Sequence, residues 1–559
     1  MMPGEDGFEQ RFAERVDRFV AWLEKDRLPL LAIFVYVIAL ATTRDLLEYF
    51  LLDQPFVTTP HPWIFSIAHH VAFYVVVFLG LIFLLSAFSG RGVRRCTNFV
   101  CMFYWIIVLP PIIDHYIGGL DQNYAYFSIT DFVNAILHFS GEGFHIGQAS
   151  EVVVVLFALF AYGIWTQRTA LSTLKGRTIV LVRVCFLVFF TFLAMFIMAT
   201  PGAFLPVGFK GGIPEFPAFD LTRYYQFHLF LLLYYLVGGA VVALSIYYFA
   251  MKSEFRRVLR SMRPAQTLFF GGVVAAGIVT GWRLGYSLDL VTMILATPYW
   301  VNLCFAGTAI IAALLAWQVS TMWNDLSDSA SDEPSRPDRL VASGTVEARF
   351  LWQISMVLAI ISVILSFLLS LLQGLILLVI LALAFVYSFK PVRFKEHLLS
   401  PVLIGLGAFL AYLYGYLTPY SVVEKYTQGG IYYPYLTGDV LVPQLMPEGF
   451  LLGFFMFLGL VIGSIVTDID GYDEDRRGNV RTIYTVLGKE RATKLVSALI
   501  YAGSLTPLFL FHQLNDILVF PALGVAAAVL FGRSMSSRPV LLVALMGLAY
   551  AALRYLSLF

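Results

Sequence analysis

Charged residues are scarce in this 559-residue chain: they make up 13% of it, against about 25% in soluble domains. Hydrophobic residues make up 59%, a composition that excludes an ordinary soluble globular protein. The formal net charge is only +1, so no basic field gathers nucleic acid, and we expect no nucleic-acid partner. The composition therefore predicts an integral, multi-pass membrane protein.

Cysteine is equally scarce, since only Cys96, Cys101, Cys185 and Cys304 are present. The last two lie inside apolar segments, where packing is the expected role. No further ligands stand near Cys96 and Cys101. We therefore predict neither a disulfide framework nor a cysteine metal site.

The amino-terminal segment has apolar residues at helical spacing, namely Phe12, Val16, Phe19, Val20 and Leu23, between acids and bases. This pattern indicates an amphipathic helix on the membrane surface. No small-residue cleavage site follows, so we do not expect a signal peptide.

A helix needs about 20 apolar residues to cross the hydrocarbon core of a membrane. Fifteen segments meet this requirement. They lie near residues 29–51, 63–88, 98–117, 149–167, 178–200, 225–250, 265–281, 299–321, 350–371, 373–388, 400–418, 449–467, 492–511, 515–531 and 539–556. We therefore predict an all-α polytopic membrane protein of about 15 transmembrane helices.

The basic residues follow the positive-inside rule if the amino terminus is cytoplasmic. In the second half they cluster at 252–263, 336–349, 390–395, 476–494 and 533–538, while the opposing loops hold only Arg283 and Lys425. The basic segment 251–266 predicts a boundary near residue 260. An N-terminal module of about six helices (1–260) would then precede a nine-helix bundle (261–559).

An acidic cluster follows one apolar run, in the sequence WNDLSDSASDEPSRPDRLVASG (323–344). Asp325, Asp328 and Asp332 are spaced i, i+3, i+7, which puts them on one face if the preceding helix continues. Mg²⁺, which prefers a few carboxylates plus phosphate oxygens, would neutralise them. A solvated acidic loop explains a single cluster equally well.

A second cluster lies on the same predicted cytoplasmic face, in TDIDGYDEDRRGNVRTIYTVLG (467–488). Asp468, Tyr472 and Asp475 are spaced i, i+4, i+7, again as on one helix face. Two acidic helix ends facing each other could hold two or more Mg²⁺ ions that grip a diphosphate. Nearby loops supply bases that would complete its neutralisation, namely Arg336, Arg339, Lys395 and Arg481.

These residues resemble the motifs of the UbiA superfamily of intramembrane prenyltransferases. The family's first motif, NDxxDxxxD, is met by Asn324, Asp325, Asp328 and Asp332, and RPDRLVASG is similar to its RPLxSG segment. The second motif, DxxDxxxD with a TLPVxxG-like tail, is matched at its ends by Asp468 and Asp475 and in its tail by residues 482–488. Gly471 replaces its middle aspartate, so either Asp470 or Asp473 is a candidate substitute.

Between the motifs, VYSFKPVRFKE (386–396) resembles the family's YSxxPxRLK segment. The likeness runs from about residue 265 to the end of the chain. It implies that carboxylates are catalytic and bind Mg²⁺: Asp325, Asp328, Asp332, Asp468 and Asp475. It also implies a set of substrate-binding residues: Asn324, Arg336, Arg339, Tyr387, Ser388, Lys395, Tyr472 and Arg481.

The activity implied by the resemblance is the transfer of a prenyl group from an isoprenyl diphosphate to an aromatic or other lipid-precursor acceptor. Mg²⁺ would be the cofactor, and the partners would be the donor, membrane lipid and an acceptor that the sequence does not identify. The alternative is a transporter or lipid-binding protein built on a degenerate prenyltransferase scaffold. The complete first motif favours the enzyme.

The first 250 residues carry polar groups at or near membrane depth. They are Arg44, Asp45, Glu48, His69, His70, Asp114, His115 and His228, with His138, Glu142, His145 and Glu151 near a predicted outer loop. A metal or haem site is one interpretation, and an ion pair of Arg44 within the bundle is the favoured one. We expect this module to hold a protein partner or deliver substrate.

Overall fold

The computed structural model describes residues 5–51, 62–117, 130, 132–134, 146–201, 221–250, 261–284, 299–335, 341, 346–421, 446–478 and 480–557. These residues are mostly helical, and none of them lies in a β-strand. The chain divides into two compact units, residues 1–256 and 257–559. The different roles assigned to two modules, with a boundary near residue 260, stay a prediction.

Unit 1 contains eight described helices and two 3₁₀ turns, at Tyr104–Val108 and Arg168–Ser172. The helices are α1 (Glu5–Leu23), α2 (Leu30–Leu51), α3 (Pro62–Phe88), α4 (Val93–Phe103), α5 (Leu109–Ile117), α6 (Ile146–Thr166), α7 (Leu174–Ala199) and α8 (Leu221–Ala250).

Unit 2 contains eleven described helices and two 3₁₀ turns, at Phe394–Glu396 and Thr506–Phe509. The helices are α9 (Pro264–Leu284), α10 (Tyr299–Ser335), α11 (Ala348–Leu369), α12 (Leu371–Ser388), α13 (Ser400–Tyr416), α14 (Pro447–Thr467), α15 (Tyr472–Arg477), α16 (Ile483–Leu487), α17 (Lys489–Leu505), α18 (Leu514–Ser534) and α19 (Ser537–Ser557).

Fifteen helical segments of the described chain are long and apolar enough to cross a membrane. Each overlaps one of the fifteen predicted spans, and the third is made of α4, a 3₁₀ turn and α5. The all-α polytopic fold is thus confirmed. The side of the membrane on which each loop lies stays a prediction.

Helix α1 confirms the predicted amphipathic helix. Its apolar side buries Val20 and Leu23 in the core of unit 1, whereas Phe12, Phe19 and Trp22 are exposed. Its location on the membrane surface stays a prediction.

The Arg44 ion pair predicted for unit 1 is confirmed. The buried guanidinium donates from Nε to Glu48 Oε1 at 2.8 Å, and from Nη1 to Glu151 Oε2 at 2.7 Å. His70 Nδ1 lies 3.1 Å from Asp45 Oδ1. No group of three metal-ligating side chains suited to a metal ion occurs among the residues that the structure describes. His138, Glu142, His145 and the His228 side chain lie outside those residues.

The apolar stretch 348–388 is broken at Ser370, whose extended backbone separates α11 from α12. The Ser370 side chain accepts a hydrogen bond from the backbone N–H of Gln373 and so caps α12. Gln373 is fully buried and donates to the Tyr414 carbonyl at 2.9 Å and to Thr418 Oγ1 at 3.0 Å. This network pairs the polar groups of a buried break between two helices.

Helices α9 and α13 approach each other closely because glycine stands at their crossing. A Cβ atom on Gly277 would lie 2.1 Å from the Tyr412 carbonyl oxygen, and one on Gly415 would lie 2.1 Å from the Val274 oxygen. Small residues of this kind permit backbone contact between membrane helices. The crossing fixes the position of α9. Arg263, a residue of the candidate site, directly precedes this helix.

Candidate active site

Helix α10 continues past its apolar part to Ser335, which meets the condition for placing the aspartates on one helix, and so carries the first acidic motif. Trp323 fixes its position: the indole Nε1 donates to Ser355 Oγ of α11 at 3.0 Å. The Trp323 ring also packs against Trp352, Phe385 and Phe389. This aromatic cluster places Asn324 and the next two turns at the end of the bundle.

Asp325 is buried and forms an ion pair with Arg263, whose Nη2 lies 2.6 Å from Asp325 Oδ1. Arg263 directly precedes α9 and has a left-handed backbone with φ of 49°. Gln318 of α10 holds this segment, because its Nε2 donates to the Met262 carbonyl at 3.1 Å and to Thr267 Oγ1 at 2.8 Å. We predicted Arg263 only as a cytoplasmic charge, so its place beside Asp325 is a finding of the structure.

Asp328 receives two bases from the loop between α12 and α13. Arg393 Nη2 lies 3.0 Å from Asp328 Oδ1, and the Lys395 ammonium is in close contact with the same oxygen. Lys395 also donates to Ser327 Oγ at 2.6 Å and to Asn324 Oδ1 at 3.4 Å. Burial lowers the pKa of Lys395, and the hydrogen bond to Asp328 opposes this shift.

Arg393 was not among the predicted site residues, although it stands in the segment that resembles YSxxPxRLK. Its backbone is left-handed with φ of 46°, and its Nη1 lies 2.6 Å from Glu396 Oε1. Arg393 therefore joins Asp328 to Glu396 of its own loop. Lys395, which we did predict as a site residue, contacts the same Asp328 carboxylate.

The second motif occupies a turn between α14 and α15 and does not form one continuous helix face. Asp468 follows the last residue of α14, and the Asp470 amide donates to the Thr467 carbonyl, which tightens the chain. Gly471 then precedes α15, which carries Tyr472 and Asp475. The i, i+4, i+7 spacing is therefore broken by this turn, while the two end aspartates remain near each other.

Asp468 lies in an environment that disfavours its charge. Burial, and then the negative charge of Asp475, raise the pKa of Asp468 to about 7. A carboxyl group in this state gains from a cation at the site, because the cation removes both the repulsion and part of the desolvation cost.

Asp470, one of the two candidate substitutes for the middle aspartate of the second motif, is held by Ser537. The Asp470 carboxylate accepts from the Ser537 amide at 3.3 Å and from the Ser537 hydroxyl, so it caps the start of α19. Asp473 is exposed on α15. At Gly471 itself, a Cβ atom would lie 3.6 Å from Asp475 Oδ2, so the missing carboxylate would stand beside Asp475.

The two motifs meet at the loop that carries Arg393 and Lys395. The Arg481 amide, in the tail of the second motif, donates to the Glu396 carbonyl of this loop at 3.0 Å. Asp468 and Asp328 both interact electrostatically with the Tyr387 hydroxyl. This hydroxyl also accepts a hydrogen bond from Ser400 Oγ at 3.2 Å. Carboxylates of both motifs therefore share one end of unit 2.

The remaining predicted residues differ in their surroundings. Ser388 is buried at the end of α12, and the Arg481 side chain is exposed. Tyr472 packs against an apolar cluster around Ile465 and faces the Lys489 ammonium at 5.8 Å from its ring centroid. Arg336, Arg339 and the Asp332 side chain lie outside the described residues.

The donor chemistry of this end of unit 2 suits a hard cation such as Mg²⁺. Four of the five carboxylates predicted to bind Mg²⁺ are described, namely Asp325, Asp328, Asp468 and Asp475. Carboxylates offer only oxygen as a ligand atom. No cluster of three candidate ligands is already formed among the described side chains. Arg263, Arg393 and Lys395 form ion pairs with the first-motif carboxylates that a metal cation would bind.

Comparison with known proteins agrees with this arrangement. The model of the UbiA prenyltransferase family matches residues 288–553, which include all three motifs. Digeranylgeranylglyceryl phosphate synthase of Methanosphaera stadtmanae is 27% identical over 197 residues, which are 35% of this chain. The match spans 62% of that relative's length. Residues 288–553 thus match the UbiA prenyltransferase family model, as the motifs predicted.

Two solved structures are similar to this chain. A UbiA homolog from Archaeoglobus fulgidus bound to GPP and Mg²⁺ is 16% identical with a TM-score of 0.35, covering 53% of this chain and 98% of its own. The apo structure of a UbiA homolog from Aeropyrum pernix K1 is 16% identical with a TM-score of 0.38, covering 52% of this chain and 98% of its own.

Proposed function

We propose that this protein is a Mg²⁺-dependent intramembrane prenyltransferase that moves a prenyl group from an isoprenyl diphosphate to a lipid-precursor acceptor. The observation that carries the proposal is the contact of both acidic motifs with one basic loop. Asp328 is bound by Arg393 and Lys395 of this loop, and the second motif is joined to it through Arg481 and Glu396. A diphosphate needs both kinds of group.

Asp325, Asp328, Asp468 and Asp475 would hold Mg²⁺, which when bound would stabilise the negative charge that develops on the leaving diphosphate. The protein's own cations have a related role. Arg263, Arg393 and Lys395 now neutralise the first motif. When the donor enters, these three side chains are free to turn to its phosphate oxygens, since Arg and Lys bind carboxylate and phosphate alike.

Charge neutralisation of this kind weakens the allylic C–O bond of the donor, and an electron-rich acceptor then captures the prenyl carbon. The aspartates need not touch that carbon. The relative's name places a geranylgeranylglyceryl phosphate among the acceptors to try first, together with aromatic acids. The N-terminal unit would hold a protein partner or deliver substrate, with the amino terminus and both acidic motifs on the cytoplasmic side.

The direct test is diphosphate release from labelled geranylgeranyl diphosphate by the purified full-length protein, with and without Mg²⁺, across a panel of acceptors. We expect Mg²⁺-dependent release that is lost in Asp325→Asn and in Asp468→Asn. The matched control is Glu474→Gln, because Glu474 is an exposed acid of the same segment and was not predicted as a ligand. Its activity should equal that of the wild type.

The same assay separates the enzyme from the competing transporter or lipid-binding function. No release with any acceptor or donor length, from protein that is folded and binds a prenyl diphosphate, would favour the competitor. Full activity in either aspartate variant would refute the assignment of that motif.

A further inference from the structure

Tyr484 has an unusual environment in the tail of the second motif. Its ring is fully buried in the apolar cluster of unit 2, beside residues such as Val466 and Ile469. Its hydroxyl is also buried and has no hydrogen-bond partner among the described residues. Burying a hydroxyl without a hydrogen-bond partner is unfavourable, so such a group calls for an explanation.

The charged groups that interact with this hydroxyl belong to the second motif. The carboxylates of Asp468 and Asp470 both act electrostatically on the Tyr484 hydroxyl. Asp470 already accepts from the amide and hydroxyl of Ser537. The Asp468 carboxylate, in contrast, receives no hydrogen bond from the described side chains or amides. Tyr484 belongs to the same apolar cluster as Ile469, the residue that directly follows Asp468, so its buried hydroxyl and this carboxylate belong to one local region.

We propose that Tyr484 is a positioning residue: when Mg²⁺ is bound at the second motif, its hydroxyl donates a hydrogen bond to the ionised Asp468 carboxylate and orients it toward the cation and the diphosphate. This inference rests on the proposed function, because it gives Asp468 the role of a cation ligand. Groups that orient ligating side chains typically contribute 10- to 100-fold to metal affinity.

The test is the Mg²⁺ dependence of inorganic pyrophosphate binding, measured by calorimetry on the purified full-length protein. Tyr484→Phe should shift the Mg²⁺ concentration for half-maximal binding upward by about 10-fold or more. Its thermal unfolding without Mg²⁺ should be unchanged or higher, since only an unbonded hydroxyl is removed. The control is Tyr501→Phe, at an exposed tyrosine of α17, which should leave both quantities as in the wild type.

A double-mutant cycle shows whether Tyr484 acts through Asp468. In an Asp468→Asn background, the additional Tyr484→Phe change should have no further effect on Mg²⁺-dependent binding. Equal binding by wild type and Tyr484→Phe, or full additivity of the two changes, would overturn the inference. The proposed activity is tested separately by diphosphate release. If Tyr484→Phe has no effect but diphosphate release is observed, the Tyr484 inference fails and the proposed activity stands.

Discussion

The ion pair between Arg263 and Asp325 gives a sharp prediction, because it joins a residue before the family domain to the first aspartate of the first motif. We consider Arg263→Gln, which keeps a polar side chain and removes the charge. The Arg263 side chain is 29% exposed and that of Asp325 is 8% exposed. The change would therefore remove this cation from a buried carboxylate.

The expected loss of stability lies between two limits. Breaking a fully buried pair costs about 3–5 kcal/mol, and breaking an exposed one costs about 0–1 kcal/mol. With one partner buried and the other partly exposed, we expect about 2 kcal/mol in the protein without Mg²⁺. Arg533→Gln is the matched control, because Arg533 is exposed and forms no ion pair with a residue that the structure describes, and it should change stability little.

The same substitution should affect two ligands in opposite directions. Without diphosphate, Mg²⁺ competes with Arg263 for Asp325, so Arg263→Gln should bind Mg²⁺ about 10- to 30-fold more tightly, which is the same 2 kcal/mol converted at 1.4 kcal/mol per tenfold. With Mg²⁺ present, pyrophosphate should bind about 10- to 100-fold less tightly, since a charge-assisted hydrogen bond is lost. Calorimetry on the purified protein measures both affinities.

Two results would refute this reasoning. Unchanged stability of Arg263→Gln without Mg²⁺ would show that the pair is not formed in the free protein. A parallel loss of Mg²⁺ and pyrophosphate affinity would show that Arg263 supports the site's structure and does not exchange between ligands.

Three further predictions concern the second motif. Asp470→Ala should lower stability by about 1 kcal/mol in thermal unfolding, because it removes the cap of α19, and should leave Mg²⁺ dependence unchanged; altered Mg²⁺ dependence would make Asp470 a ligand after all. Gly471→Asp should strengthen Mg²⁺ binding in calorimetry, since the new side chain would start 3.6 Å from an Asp475 oxygen; weaker binding would contradict this placement. Because the pKa of Asp468 is raised to about 7, the folded protein binds more protons than the unfolded chain between pH 4 and 7, so the unfolding temperature without Mg²⁺ should fall as pH rises through this range. Asp468→Asn should flatten that slope, and an unchanged slope would assign it to another group.

Hydropathy and spacing predicted much of the fold. Each crossing helix must hold about 20 apolar residues, which leaves a clear record in sequence, and all fifteen predicted spans correspond to helices. The spacing of Asp325, Asp328 and Asp332 places them on one face if α10 continues past the apolar run, and the helix does continue to Ser335. The break at Asp468–Gly471 could not be predicted from spacing, because the spacing fits a helix and only local turn contacts oppose it.

The cations of the site were harder to predict than its acids. The acids form local motifs, whereas Arg263 reaches Asp325 from 62 residues away, and Arg393 reaches Asp328 from 65. A sequence shows such bases only as loop charges, because the pairing depends on how α9 and the loop before α13 pack against α10. The structural role of Asp470 was hidden for the same reason, as its partner Ser537 lies far along the chain.

The most direct test of the central claim is the affinity of Mg²⁺ with inorganic pyrophosphate for the wild type, Asp325→Asn and Asp468→Asn. If both acidic motifs hold one diphosphate, each single variant should weaken pyrophosphate binding at least 10-fold at the same Mg²⁺ concentration. Loss of binding in one variant with wild-type binding in the other would show that the motifs do not form a common site, and the account would fail.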